Sequence, residues 1–173
     1  MRMPIAAAIA RLSWCAAGSA IAIGLVLWLV GPPLSPLFLA SLGGSTVFLF
    51  GLTRAPAAQP RALLGGHLGG AAIGVLCFQV LGDATWVYVV AMVLTLLFML
   101  ATGTVHPPAG ANPLIMIHAH AGWYALWQPV LLGILVLAGV ASIWSRLFPR
   151  MVRYPYRWLD KSPPSLFWGG WIE

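Results

Sequence analysis

The stretch from Thr85 to Thr102, TWVYVVAMVLTLLFMLAT, decides the fold, because it carries no charged side chain along its whole length. A helix over this stretch would reach about 27 Å, which is close to the ~30 Å hydrocarbon core of a bilayer. An uninterrupted apolar run of this length is typical of a membrane-spanning helix. We therefore predict that this stretch crosses a membrane.

Composition extends the prediction to the whole chain. Of its 173 residues, 61% are hydrophobic and 7% are charged, whereas a soluble domain carries about 25% charged residues. The net charge of +6 could indicate nucleic-acid binding, but the Lys and Arg residues lie between or after apolar runs, as membrane topology requires. We predict an all-α, polytopic membrane protein whose partner is the lipid bilayer, and no nucleic-acid partner.

Six apolar elements can be drawn along the chain. A straight crossing needs about 20 residues, so the fifth element is too short for one, and Gly43-Gly44 stand in the middle of the second. We therefore predict that helices two and five are interrupted. The six elements cover about residues 13–30, 36–52, 62–81, 85–102, 108–117 and 124–148.

The charged residues predict the orientation of these elements. If all six cross and the N-terminus is cytoplasmic, every Lys and Arg falls on the cytoplasmic side and Asp83 falls outside, as the positive-inside rule favours. We expect a multi-pass protein of the cell (inner) membrane with both termini cytoplasmic. Residues 1–150 would form a single transmembrane domain, and residues 151–173 an interfacial tail of cationic and aromatic side chains.

The second and fifth elements indicate an internal repeat. Residues 43–50, GGSTVFLF, align with residues 110–117, GANPLIMI. Three crossings per copy would invert repeat two, about 84–148, relative to repeat one, about 11–82. Inverted repeats with broken helices are a recurring plan of transporters, with the substrate near the midplane. The alternative is chance similarity in a composition rich in Gly, Pro and Leu.

Several residues around the interruptions are predicted to shape or gate the pathway. A Gln-Pro pair precedes the next helix in each copy, and proline is favoured at a helix start because its missing N–H would have no partner there. We expect the two glutamines to brace the interrupted segments, and Arg61 to fix the topology or to attract anions. This set comprises Gly43, Gly44, Gln59, Pro60, Arg61, Pro107, Pro108, Gln128 and Pro129.

No acidic residue and no Lys or Arg lies deep in a predicted span, so carboxylate relays are not expected. A helix that begins inside the membrane presents unpaired N–H groups and a positive dipole end, which suit a small anion. Ser45 and Thr46 in copy one, and Asn112 after Gly110 and Ala111 in copy two, stand where such helix starts are predicted. The alternative is that these residues only cap their own helices.

Two histidines are candidates for the same site. His106 precedes Pro107-Pro108 and could donate to an anion or titrate near neutral pH, or it could bond to carbonyls that the prolines leave free. His67 shares a helix face with Gly70 and Gly74, so it is predicted to point at a helix interface rather than at lipid. His-x-His at residues 118–120 is a weak metal signal, since zinc sites need three or four ligands.

The motif His106-Pro-Pro-Ala-Gly-Ala-Asn112 resembles the HPP family of integral membrane proteins, named for that tripeptide. The resemblance extends to Leu42-Gly-Gly-Ser-Thr-Val47, to Ala58-Gln-Pro-Arg61 and to Gly65-Gly-His67. Members in cyanobacteria and plastids are implicated in nitrite transport. The resemblance therefore implies a membrane transporter, with nitrite as the first substrate to test.

The sequence thus predicts a transporter or channel for a small anion, without cofactor or metal. Its small size favours a homo-oligomer. Alternatives are a non-transporting membrane scaffold or subunit, and a transporter of another small solute. An enzyme is not expected, because an intramembrane enzyme would need a nucleophile or metal constellation that the sequence does not show.

Overall fold

A computed structural model of the chain describes residues 4–30, 39–149 and 151–165. These residues form helices joined by short loops, and their one β-type pairing is an isolated bridge. The all-α prediction is therefore confirmed for the described part of the chain. The predicted start of element two at residue 36, and the tail beyond residue 165, lie outside it.

Six α-helices and several 3-10 and π-helical turns follow one another along the described residues. We number the α-helices α1 to α6. Their bounds are α1 Ile5–Val30, α2 Ala40–Thr46, α3 Pro60–Leu81, α4 Thr85–Thr102, α5 Asn112–His118 and α6 Leu132–Leu147. The 3-10 turns are Pro56–Ala58, Pro107–Ala111 and Trp123–Leu126, and the π-helical turns are Val47–Gly51 and Trp127–Leu131.

Within the part of the chain that the structure describes, four helical segments are long and apolar enough to cross a membrane. They are Ile5–Val30, Pro60–Leu81, Thr85–Thr102 and Trp123–Leu147. The segment Ala40–Gly51 is apolar but shorter; a helix of its length spans only about 18 Å, well under the ~30 Å hydrocarbon core. Residues 107–118 are equally short. The described chain is therefore a multi-pass helical protein with four long helices and two short segments.

Basic residues of distant segments gather at one end of the helices, which we call the basic end. The Arg54 guanidinium lies 5.6 Å from the ring centroid of Tyr156. Arg61, at the start of α3, donates to the Thr102 carbonyl at the end of α4 (2.8 Å). Asp83 lies at the opposite end, where it accepts a hydrogen bond from Tyr88. These Arg residues and Asp83 thus lie at opposite ends of the helices.

The prediction that Gly43-Gly44 interrupt helix two is wrong. Both glycines lie inside α2, and the helix continues through Thr46 into the π-helical turn. A Cβ placed on Gly44 would lie 3.1 Å from the Pro108 Cβ, so this glycine permits close packing of element two on element five. Glycine costs a helix only about 1 kcal/mol relative to alanine, which this packing can offset.

Element five is irregular where the sequence predicts a break. The turn Pro107–Ala111 is 3-10, and the α-helix begins at Asn112. Prolines at the start of each segment lack the N–H that would extend a preceding helix. The chain then runs from the basic end to the opposite end. His106 contacts the Ala57 carbonyl near the basic end, and His120 contacts Asp83 at the opposite end.

Glycines on one face of α3 bring element five against this helix. A Cβ on Gly66 would lie 3.0 Å from the Thr104 carbonyl oxygen, and a Cβ on Gly74 would lie 2.6 Å from the Pro113 Cα. Both neighbours are backbone atoms, which cannot move aside without shifting the segment. These glycines thus allow close packing, and the prediction that His67 points at a helix interface is confirmed.

The long helices pack mainly in two pairs, α1 with α6 and α3 with α4. The α1 helix packs on α6, where Trp14 and Trp144 stack with ring centroids 4.2 Å apart, and α4 packs on α3. The described part of the tail folds back over the basic end. There Tyr154 is buried, and the Ser162 hydroxyl donates to the Val105 carbonyl (2.7 Å).

Candidate functional site

Four polar side chains meet in the interior, although they come from separate segments. Ser45 is on α2, His67 is on α3, His106 precedes the 3-10 turn, and Asn112 begins α5. Each is at most 1% exposed to solvent. We call these four residues the polar cluster, and all four were predicted as site residues.

Ser45 is the centre of the polar cluster. Its hydroxyl oxygen lies 2.9 Å from His67 Nε2 and 2.8 Å from His106 Nε2. The same oxygen lies 2.8 Å from the Ser41 carbonyl, one turn earlier in α2. Ser45 was predicted at a helix start, which is wrong, because it lies in the last turn of α2. Its hydroxyl joins the two imidazoles instead.

The other ring nitrogen of each histidine is held by the surrounding backbone or by Asn112. His106 Nδ1 donates to the Ala57 carbonyl (2.6 Å), and the Phe48 ring covers its imidazole at 5.3 Å between centroids. Asn112 donates from Nδ2 to the His67 carbonyl (2.9 Å) and to His67 Nδ1 (3.1 Å). Both imidazoles are therefore fixed in position, and each presents its Nε2 atom to Ser45.

The other predicted substrate-binding residues lie near the polar cluster without joining its hydrogen bonds. Thr46 donates to the Gly43 carbonyl (2.7 Å), so it stabilises α2 rather than starting a helix, and its predicted helix-start position is wrong. Gly110 and Ala111 lie in the 3-10 turn before Asn112 and are partly buried.

Gln59 braces the basic end, whereas it was predicted to brace the interrupted segments. Its Nε2 donates to the carbonyls of Thr53 (2.8 Å) and Ala55 (3.0 Å). Its Oε1 accepts from the backbone N–H groups of Tyr156 (3.0 Å) and Arg157 (2.9 Å). This buried amide thus joins the loop after α2 to the tail.

The second Gln-Pro pair differs from the first. Pro60 is the first residue of α3, whereas Gln128-Pro129 lie inside the π-helical turn and Gln128 has extended dihedral angles. The Gln128 side chain accepts one hydrogen bond from Tyr124, on an exposed surface. It therefore does not repeat the bracing role of Gln59.

Thr95 is a candidate that the sequence reasoning missed. It is 1% exposed, and its hydroxyl has no hydrogen-bond partner among the described residues. A Cβ on Gly70 would lie 3.3 Å from Thr95 Cγ2 and 3.5 Å from Asn112 Cβ, so Thr95 borders the polar cluster. The signal was a lone hydroxyl in the middle of the apolar stretch Thr85–Thr102.

The other two histidines, His118 and His120, lie at the end opposite the basic end. His120 Nε2 contacts Asp83 Oδ2 at 2.8 Å. Hydrogen bonds from His120 and then from Tyr88 lower the pKa of the Asp83 carboxyl below its usual range. The described residues contain no group of three or more His, Cys, Asp or Glu side chains placed to hold a metal ion.

Fold and site together define a multi-pass helical membrane protein with a buried cluster of uncharged polar groups between its short segments. The chain belongs to the HPP transmembrane family: the family description "HPP, transmembrane region" matches residues 4–155. The resemblance seen in the sequence is thereby confirmed.

Two transmembrane proteins of Dictyostelium discoideum are similar to this chain. Each is 32% identical in an alignment of 128 positions that covers 69% of this chain. The matched region covers 45% of one relative and 41% of the other, so the chain spans less than half the length of these relatives. No solved structure matches the chain.

Proposed function

We propose that this protein is a transporter or channel for a small anion, with nitrite as the leading candidate. The observation that carries the proposal is the polar cluster, which places two imidazoles and an amide in the interior of a membrane protein. Polar groups inside a membrane are costly and mark ion or substrate pathways. The residues proposed to contact the anion are Ser45, Thr46, His67, His106, Gly110, Ala111 and Asn112.

The chemistry of these groups favours an anion over a cation. The polar cluster contains no carboxylate, and the described acidic residues lie at the two ends of the helices, Asp83 opposite the basic end and Asp160 in the tail. Imidazole and amide N–H groups can donate to an anion, and the unpaired Thr95 hydroxyl can supply another donor. The basic end would raise the local anion concentration at one mouth.

The architecture proposed for this function is an inverted repeat with six crossings. Three features support it: elements two and five are both short, they pack on each other at Gly44 and Pro108, and α1 packs on α6 as α4 packs on α3. We further propose that both termini are cytoplasmic, that the protein is not an enzyme, and that it works as a homo-oligomer in the inner membrane.

A second candidate is a non-transporting membrane scaffold. It is favoured by the way the polar cluster bonds to itself, which makes this interior closed in the structure described. A scaffold requires the cluster only for stability. It therefore predicts that purified protein gives no flux in liposomes, whereas a transporter must open the cluster to its substrate.

Flux in proteoliposomes distinguishes the two. Uptake of nitrite, nitrate, formate and chloride should be measured at mildly alkaline pH, with protein-free liposomes as the background. We expect nitrite uptake above background and a loss of about tenfold or more in His106→Gln, since a ~1.4 kcal/mol change in barrier gives tenfold. His118→Gln, an exposed histidine at the opposite end, is the matched control. Flux that is equal in all three proteins removes His106 from the mechanism, and absence of flux supports the scaffold.

A further inference from the structure

The polar cluster has one proton fewer than its hydrogen bonds require. The carbonyls of Ser41 and Ala57 can only accept, so the ring proton of neutral His106 must be on Nδ1. Asn112 donates to His67 Nδ1, so the ring proton of neutral His67 is on Nε2 and is donated to Ser45. These assignments follow from the heavy-atom geometry alone.

Ser45 is then left with two acceptors and one proton. Its hydroxyl faces the Ser41 carbonyl at 2.8 Å and His106 Nε2 at 2.8 Å, and in neutral His106 that nitrogen carries only a lone pair. One hydroxyl proton cannot make a full hydrogen bond to both partners, and sharing it between them weakens each bond. In the neutral cluster, therefore, at least one close pair lacks a full hydrogen bond.

A single added proton removes this conflict. When His106 Nε2 takes a proton, it donates to the Ser45 oxygen, and the Ser45 hydroxyl donates to Ser41. Every close pair of the cluster is then a hydrogen bond. A second proton has no place, because His67 Nδ1 already accepts from Asn112 and because the two rings lie 5.1 Å apart, where two positive charges repel.

We propose that the polar cluster binds one proton together with one monovalent anion, so that the transported unit is electrically neutral. This inference rests on the proposed function. The proton comes from water and adds to His106 Nε2, and no covalent bond breaks in the protein. Proton and anion leave together on the other side.

The anion is needed because the interior offers no other counter-charge. Burial disfavours an unbalanced positive charge, so the protonated cluster is costly by itself. Around it, α2 carries no ionisable side chain, and α3 adds Arg61, which is cationic. Other ionisable residues of the neighbouring helices and loops and of the described tail include Arg11, Cys15, Arg54, Cys77, Tyr88, His118, Arg146, Arg153, Tyr154, Tyr156, Arg157, Asp160 and Lys161.

Among the described residues, none of these other groups forms a hydrogen bond with either imidazole ring. An anion beside His106 would therefore supply the missing negative charge. By linkage, the anion then raises the proton affinity of the cluster by the same factor by which the proton raises the anion affinity. In the pH range where the cluster takes up this proton, anion affinity should fall about tenfold per pH unit.

Proteoliposomes with a pH dye in the lumen test the coupling. Nitrite is added outside while valinomycin and potassium set the voltage, and protein-free liposomes give the leak of nitrous acid through lipid. For the wild type we expect lumenal acidification of one proton per nitrite, at a rate that voltage does not change. In His106→Gln, which can hydrogen bond but cannot ionise, the remaining nitrite flux should carry charge and no proton.

The outcomes separate this inference from the proposed function. Nitrite flux that follows voltage without proton movement overturns the proton coupling and leaves anion transport standing. A second measurement uses purified protein in weakly buffered detergent: nitrite binding should take up one proton in the wild type and none in His106→Gln. Binding without proton uptake in the wild type also overturns the inference. Absence of both flux and binding rejects anion transport and the coupling with it.

Discussion

The imidazole rings of His67 and His106 lie 5.1 Å apart between centroids and share the hydroxyl of Ser45. They come from different elements, so the contact ties α3 to the start of element five. Groups within one hydrogen-bond network are energetically coupled by about 0.5–3 kcal/mol. The pair is therefore expected to act as a unit.

A double-mutant cycle measures this unit. His67→Gln and His106→Gln should each lower the free energy of unfolding in detergent, and the double variant should cost less than the sum of the two, because either change already disrupts the bonds through Ser45. The cycle of His67→Gln with the exposed His118→Gln should be additive. Additivity in the first cycle would show that the two rings are independent.

Thr95→Val should separate stability from transport. Valine has the shape of threonine but lacks the buried hydroxyl, which is without a partner among the described residues. An unsatisfied buried group costs about 1–3 kcal/mol, so the variant should unfold at a higher temperature while nitrite flux falls. Unchanged flux would mean that Thr95 gives no donor to the substrate.

Gly74→Ala should loosen the packing of element five on α3. The added Cβ would lie 2.6 Å from the Pro113 Cα, so the two segments must shift, at a cost of about 1–3 kcal/mol. Gly139→Ala in α6 is the matched control, because nothing lies within 4 Å of its Cβ position and alanine favours a helix. Thermal unfolding in detergent compares them, and equal stability of the two variants contradicts the packing.

Gln59→Leu should release the described tail from the basic end. It leaves the backbone N–H groups of Tyr156 and Arg157 without their acceptor. We expect faster trypsin cleavage at Arg153 and Arg157, and a stability loss of about 2 kcal/mol or more. Gln128→Leu removes one exposed hydrogen bond and should leave cleavage unchanged. Protection of the tail in Gln59→Leu would count against the brace.

The lowered pKa of Asp83 predicts that this residue stabilises the fold, and that the stabilisation is lost at acid pH. Its pKa is lowered by hydrogen bonds from His120 and Tyr88, so the native state favours the charged carboxylate. The resulting stability is present above the ordinary Asp pKa and is lost as pH falls through the lowered one. The melting temperature of the wild type should therefore fall more over this acid range than that of Asp83→Asn, with Tyr88→Phe between them. Parallel curves would contradict the prediction.

The amino-acid sequence by itself determined the membrane class, the family and the approximate places of the helices, although α1 begins at Ile5 rather than at residue 13. Apolar length and the positions of Lys and Arg are local properties, so they can be seen without a structure. The face of His67 and the irregular start of element five also followed from helical geometry and from Pro107-Pro108. The brace at Gln59 was expected, although its partners in the tail were not.

Only the tertiary structure decided that Gly43-Gly44 lie inside a helix and that Ser45 joins two histidines. A glycine pair reads as a break when its packing partner is unknown, and here the partner, Pro108, is supplied by a distant segment. The proton deficit of the polar cluster has the same origin. It depends on which donors and acceptors face one another across α2, α3 and element five, and those pairings exist only after the chain has folded.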